Sequence, residues 1–156
     1  MKRVAKLSRT VGLVAAAALA VATLGPAAGA DAPAGRYTVM AGTVKDLETG
    51  LVWNQLEQPG GPWSWVDAQD QCAAPWRVPT VQELRTISDL TQTTSPAIDR
   101  TVFHGPTMTS LPSGGWVWTS TVYKLGPQGY SFYVSFDDGQ VSADDPTQPG
   151  RVRCVQ

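Results

Sequence analysis

The scarce reactive side chains of this chain are one histidine and two cysteines, His104, Cys72 and Cys154. A nucleophile relay or general base would need His104 beside a Ser, Asp or Cys in space. It stands instead in a Gly/Pro/Thr loop with no motif to supply a partner, and a solvated loop histidine is the expectation. One imidazole and two distant thiols have no metal-ligand spacing, so no metal site is expected. The acidic pairs Asp137-Asp138 and Asp144-Asp145 offer hard oxygens of the kind calcium takes. Neither has the regular spacing of a calcium loop, and Asp138-Gly139 is itself a tight hairpin signal. A turn-forming role is expected for both. A paired-carboxylate hydrolase needs two such groups about 5–10 Å apart across a cleft, and nothing in the sequence singles out a pair. The chemistry therefore reads as non-catalytic, without cofactor.

The cysteines acquire meaning from the first thirty residues. Lys2, Arg3, Lys6 and Arg9 precede an apolar run from Val11 to Leu24, followed by Gly25-Pro26 and the small-residue end Ala28-Gly29-Ala30. That order is a secretory signal peptide cut after Ala30. The apolar run is shorter than the roughly 18–20 residues of a membrane span and ends in a helix breaker. The expected location is secreted or periplasmic, in a bacterium, with no membrane span. In an oxidising compartment two thiols read as one disulfide, Cys72–Cys154. Of 156 residues, 126 remain after cleavage, enough for one domain. Four of the twelve Lys/Arg leave with the signal and none of the thirteen Asp/Glu, so the side-chain charge falls from −1 to −5. Such a domain lacks the basic footprint of a nucleic-acid binder.

Residues 31–36 read as a short flexible lead to a domain over 37–156. Alternation predicts a strand over Tyr37–Val44 and a second over Leu51–Trp53. Ser64 and Asp67, then Thr80 and Glu83, have capping-box spacing and predict two short helices, over 64–72 and 80–89. Trp65, Ala68 and Cys72 share a face of the first; Val81, Leu84 and Ile87 share a face of the second. Residues 90–115 read as mostly irregular. Strands are predicted at Trp116–Tyr123, Tyr130–Asp137, Gln140–Ser142 and Arg151–Val155. Helices early and strands late, without βαβ alternation, define an α+β class.

Six tryptophans remain after cleavage, a heavy aromatic load for so small a domain. Trp53, Trp65, Trp76 and Trp118 fall within predicted elements or tight turns and are expected in the core. Trp63, Trp116, Tyr123 and Tyr130 sit at loop edges, where aromatics stack on sugar rings or anchor protein interfaces.

Several segments in order carry a resemblance. They are Asp46-x-x-Thr49-Gly50-Leu51-x-Trp53, Trp65-x-x-Ala68-x-x-x-Cys72 and Trp76-Arg77-Val78-Pro79-Thr80-x-x-Glu83-Leu84. Pro96-Ala97-Ile98-Asp99, Trp118-Thr119-Ser120-Thr121, Phe136-x-x-Gly139 and Val152-Arg153-Cys154-Val155 follow. Together they resemble the Lcl C-terminal-domain family, named for the domain ending a bacterial collagen-like adhesin. The resemblance spans about residues 37–156. It implies a C-type-lectin-like fold related to the formylglycine-generating-enzyme group, with two short helices, a twisted antiparallel sheet and the chain ends together. It also implies the Cys72–Cys154 pair, and a structural signature of Trp53, Trp65, Trp76, Arg77, Pro79, Glu83, Trp118 and Arg153. Within that signature Arg77 is expected to make an internal ion pair or carbonyl contacts. The Cys72-to-Trp76 connection is shorter than the family's usual one. The Glu-Pro-Asn and Trp-Asn-Asp motifs of calcium-dependent lectins are missing, as is the catalytic cysteine pair of the formylglycine-generating enzymes. Neither activity carries over.

The function expected is an exported, non-catalytic binding or adhesion module recognising a glycan or a protein at a cell surface. Its ligand face is expected on the 90–115 segment and the 123–130 loop, with Trp116, Tyr123 and Tyr130 as ligand-binding residues. Two other classes stay open at this point. One is an exported hydrolase of surface polymers, which needs carboxylates or His104 in a concave pocket. The other is a structural component of the envelope, which needs self-association through an aromatic patch.

Overall fold

A computed structural model describes residues 33–105, 115–123 and 129–156. The expected signal peptide, the first residues of the lead, and parts of the 90–115 and 123–130 segments lie outside the described residues. Two three-stranded antiparallel sheets and two short helices make up the fold, an α+β arrangement. The first sheet holds β1 (Tyr37–Met40), β2 (Thr43–Asp46) and β3 (Val52–Asn54) in that order. The second holds β4 (Trp116–Tyr123), β5 (Tyr130–Ser135) and β6 (Val141–Asp144). Between them in sequence lie α1 (Trp65–Gln69) and α2 (Val81–Thr86).

Several sequence expectations change. The strand expected over Tyr37–Val44 is a hairpin, because Gly42 takes a left-handed φ of 84° and the Thr43 hydroxyl donates to Met40 O to close the turn. Both helices are shorter than their hydrophobic faces suggested. Past Gln69, Asp70 N and Gln71 N donate to Asp67 O and Ala68 O in tightened turns, and Cys72 leaves the helix to reach Cys154. At the end of α2, the Arg36 guanidinium takes the Thr86 carbonyl at 2.6 Å, a cation on a helix C-terminus. The single sheet is instead two, and the last expected strand forms isolated bridges between them. Val155 pairs with Trp53 and with Arg77, while Arg151 pairs with Val117.

That C-terminal segment is the clamp of the fold. Asn54 N donates to Cys154 O, Val52 N to Gln156 O, and Trp118 N to Arg151 O. One buried cluster lies between the sheets and α2, built from Val44, Trp53, Leu84, Ile87, Ile98, Phe103, Val117, Val134, Phe136 and Val155. A second joins Ala68, Val78, Trp118, Val152 and Cys154, with Trp63, Trp65, Cys72, Trp76 and Tyr133 packed against it. The Cys72–Cys154 disulfide is part of this second cluster and joins residues 82 positions apart.

Arg153 binds the clamp to its surroundings. Its side chain is fully buried, and its Nη1 donates to Asn54 O (2.8 Å) and Gln55 O (2.6 Å). Nη2 donates to His104 O at 2.9 Å and stands 3.5 Å from Glu57 Oε1. The guanidinium also lies over the Phe103 ring. Burial pulls its pKa down to about 10 against the pull of Glu57, so it stays protonated at neutral pH.

Candidate functional site

The second sheet carries the exposed aromatics, and an irregularity in its ladder decides where they go. Trp118 pairs with Tyr133, but the next paired position is Val122 with Ser131, so Thr119–Thr121 form a bulge. Each bulge residue is tied down. Thr119 Oγ1 donates to Phe132 O, and Thr119 O accepts the Trp65 indole N–H at 2.7 Å. Ser120 N donates to Pro79 O, and Thr121 Oγ1 accepts from Val81 N at the start of α2. Beyond this fixed bulge the hairpin projects Val122 and Tyr123, with Tyr130 directly opposite Tyr123.

There the hairpin meets α1. Ser64 caps that helix through its hydroxyl, which accepts from Asp67 N, and Trp65 N donates to Pro146 O at 2.7 Å. Trp65, Val66, Val122, Tyr123, Tyr130 and Pro146, with Gly129 and Ser131, line a shallow groove of about 250 Å³. Four of its apolar side chains face solvent: Val66 is 64 % exposed, Tyr130 46 %, Val122 43 % and Tyr123 40 %. The Tyr123 ring rests on Phe132, with centroids 5.3 Å apart.

The structure brings together two of the three aromatics expected to bind ligand. Tyr123 and Tyr130 form one cross-strand pair. Trp116 lies at the other end of β4, stacked on Trp118 and edge-on to Tyr133, with its indole N–H donating to Pro149 O. Trp65 and Val66 are the contributors that sequence reasoning missed. Trp65 read as a core residue of an amphipathic helix, and it does pack on the second cluster while also lining the groove. Trp53 and Trp118 are fully buried, and Trp76 is half-buried against the second cluster. Arg77 and Glu83 form an ion pair through two hydrogen bonds of 2.8 and 2.6 Å. Those bonds, with the Thr80 N–H and hydroxyl, hold the Glu83 carboxyl down at about 2 against the cost of burial. Pro79 supplies the carbonyl that fixes the bulge.

The acidic pairs are taken up by backbone N–H groups. Asp137 accepts from Gly115 N, Asp138 from Gln140 N, and Asp144 from Asp145 N. Asp145 accepts from the Thr147 hydroxyl and N–H, which keeps its carboxyl below the ordinary value. Among the described residues no group of three or more His, Cys, Asp or Glu is placed to hold a metal ion. No described helix is long and apolar enough to cross a membrane. His104 is exposed, and its backbone carbonyl serves the Arg153 clamp.

Two small sheets locked by a buried C-terminal segment and one disulfide, with an aromatic groove at the free end of a hairpin, define a compact disulfide-tied α+β domain. The Lcl C-terminal domain matches residues 42–156, and the chain belongs to that family. No curated protein and no solved structure matches it.

Proposed function

We propose that this protein is an exported, non-catalytic recognition module of C-type-lectin-like architecture that binds a glycan or a protein at a bacterial cell surface. Its ligand face is the groove between α1 and the β4–β5 hairpin. One observation carries the reading: four exposed apolar side chains, two of them a cross-strand tyrosine pair, converge on one groove at the end of a hairpin whose bulge is pinned to both helices. Contiguous exposed apolar surface on a rigid support is characteristic of binding sites.

Export is supported by the basic, apolar and Ala-Gly-Ala order of residues 1–30, together with a disulfide. The non-catalytic reading is supported by the tasks its polar groups already perform. The Asp138, Asp144 and Asp145 carboxylates accept from their own turns, Asp137 accepts from Gly115 N, and Glu83 caps α2 and pairs with Arg77.

The test is a broad glycan array and a panel of surface proteins probed with the oxidised chain, with calcium and with chelator. Saturable binding weakened at least tenfold by Tyr130→Ala or Tyr123→Ala, with the melting temperature within a few degrees of the parent, is the expected result; a tenfold loss is about 1.4 kcal/mol. Binding that both substitutions leave intact would remove the groove from its role.

A further inference from the structure

Resting on that recognition reading, the geometry points to a narrower ligand class: the groove takes an apolar or aromatic side chain of a partner polypeptide, flanked in that partner by lysine or arginine. A glycan is the alternative that the groove's own polar inventory disfavours. Saccharide hydroxyls buried without hydrogen-bond partners are costly, so sugar sites surround their aromatic platform with side-chain acceptors and donors. Here the Trp65 indole N–H is already spent on Thr119 O, and Ser131 is buried. Among the described residues no amide, carboxylate or cationic side chain lines the groove, and the two tyrosine hydroxyls are the exposed polar side-chain groups of that lining.

Size points the same way. Pockets for cofactors and drug-sized ligands run to roughly 300–1,000 Å³. A groove of about 250 Å³ that is open along one side suits a single anchoring side chain of a protein.

Charge then selects the neighbours of that anchor. Asp67 follows Val66 on α1 and is exposed. Asp144 and Asp145 lead directly into Pro146, and Asp144 is the register partner of Ser131. The Thr147 hydroxyl and N–H hold the Asp145 carboxyl below its ordinary value. The described chain neighbours of the groove thus supply three carboxylates and no cation; Lys124 follows Tyr123 in sequence and lies outside the described residues. An apolar anchor with basic flanks meets complementary charge, and one with acidic flanks meets repulsion.

The experiment uses short synthetic peptides with a central Trp, Leu or Ser and flanks of Lys, Glu or Ser, titrated against the oxidised chain at low and high salt. Peptides with a Trp or Leu centre and Lys flanks should bind best. Their Glu-flanked counterparts should be weaker by about three- to tenfold at low salt, as suits exposed charge pairs, with the gap closing at high salt. Asp67→Asn and Asp145→Asn should narrow that gap without changing the order of the central residues. Tyr130→Ala should weaken every peptide, and Val66→Ala, at an exposed helical position, repeats that test should the tyrosine variant misfold. Equal affinity for Lys- and Glu-flanked peptides overturns the inference. Peptide silence beside Tyr130-dependent glycan binding also overturns it, while the recognition reading stands. Peptide or glycan binding that ignores both Tyr130→Ala and Val66→Ala removes the groove itself, and both readings fall.

Discussion

Replacing Arg153 by methionine should cost about 3–5 kcal/mol of folding stability, the range for breaking a buried ion pair by removing one partner. The structure shows why the value should be large. The guanidinium gathers carbonyls from Asn54 and Gln55 on one segment and His104 on another, at 2.6–2.9 Å, and faces Glu57 at 3.5 Å. Both charged side chains are sealed from water, with exposures of 0 % and 1 %. Hydrogen bonds to charged groups contribute about 1.5–3 kcal/mol each. Three of them do not simply add, because the segments relax together and Glu57 can take up a proton. Methionine refills much of the aliphatic volume, so the loss is electrostatic rather than a cavity effect. Lysine restores the charge but not the planar fork that reaches two segments at once, and Arg153→Lys should fall between methionine and the parent. The assay is urea unfolding of the oxidised chain, followed by tryptophan fluorescence. pH supplies a second readout. In Arg153→Met the buried Glu57 carboxyl loses the cation facing it, so its folded pKa should rise above the unfolded value of about 4.3. A raised folded pKa on an acid is a penalty that exists above the unfolded pKa and vanishes below it. The deficit against the parent should therefore shrink between about pH 7 and pH 4. A deficit below about 1 kcal/mol at neutral pH, the level of an exposed pair, would refute the role assigned to the clamp.

Glu83→Gln should cost about 0.5–2 kcal/mol at neutral pH, by weakening both the α2 cap and the tie to Arg77. Because the folded pKa of Glu83 is depressed to about 2, its contribution is present above the unfolded value and lost as the pH falls from about 4.3 towards 2. Parent and variant should converge over that window in acid unfolding, and a constant gap down to pH 2 would show the carboxylate charge to be irrelevant. Reduction, or the paired Cys72→Ser and Cys154→Ser substitutions, releases a loop set by a separation of 82 residues. Chain entropy puts the loss at about 4–5 kcal/mol, a large share of a usual total of about 5–15. Urea midpoints with and without reductant measure it, and coincident midpoints would contradict it.

The parts of the fold that could be read in the sequence are those written in local chemistry. Thr80 and Glu83 define the start of α2 because both halves of a capping box lie within one turn, and both hydrogen bonds are formed. The bounds of β4 follow from a run of aromatic and β-branched residues, Trp116–Tyr123, interrupted only by Ser120. Two cysteines leave a single way to pair, and they do so. What stayed hidden depends on distant segments. The β1–β2 turn lacks an Asn-Gly or Asp-Gly signal and relies on Gly42 and the Thr43 hydroxyl. The Thr119–Thr121 bulge is invisible in an alternating sequence, because its cause is the attachment of Pro79, Val81 and Trp65. Arg153 stands in the signature that the resemblance implies, but its partner Glu57 reads as an ordinary charge until the chain folds them together. For the site, Trp116 and Tyr130 had equal claims as aromatics at loop edges. Pro149, Trp118 and Tyr133 hold Trp116 at the other end of β4 from the tyrosine pair, and no local pattern announces that.

The two ends of the β4–β5 hairpin are held in different ways, and this difference separates the support of the groove from most of its lining. At one end Trp118 is fully buried, its indole donates to Trp63 O, and its backbone N–H is bonded to Arg151 O. Truncating such a side chain costs about 3–5 kcal/mol, so that end has little freedom to change. At the other end the bulge fixes the backbone from both helices, while Val66, Val122, Tyr123 and Tyr130 extend beyond the buried clusters. Substitutions of exposed side chains away from special features usually shift stability by less than about 0.5 kcal/mol. Apart from Trp65, which both lines the groove and holds Thr119 O, the position of the groove is set by groups that do not line it, and its exposed lining can change at little cost to the fold. A surface required only for packing would not need that separation between support and lining.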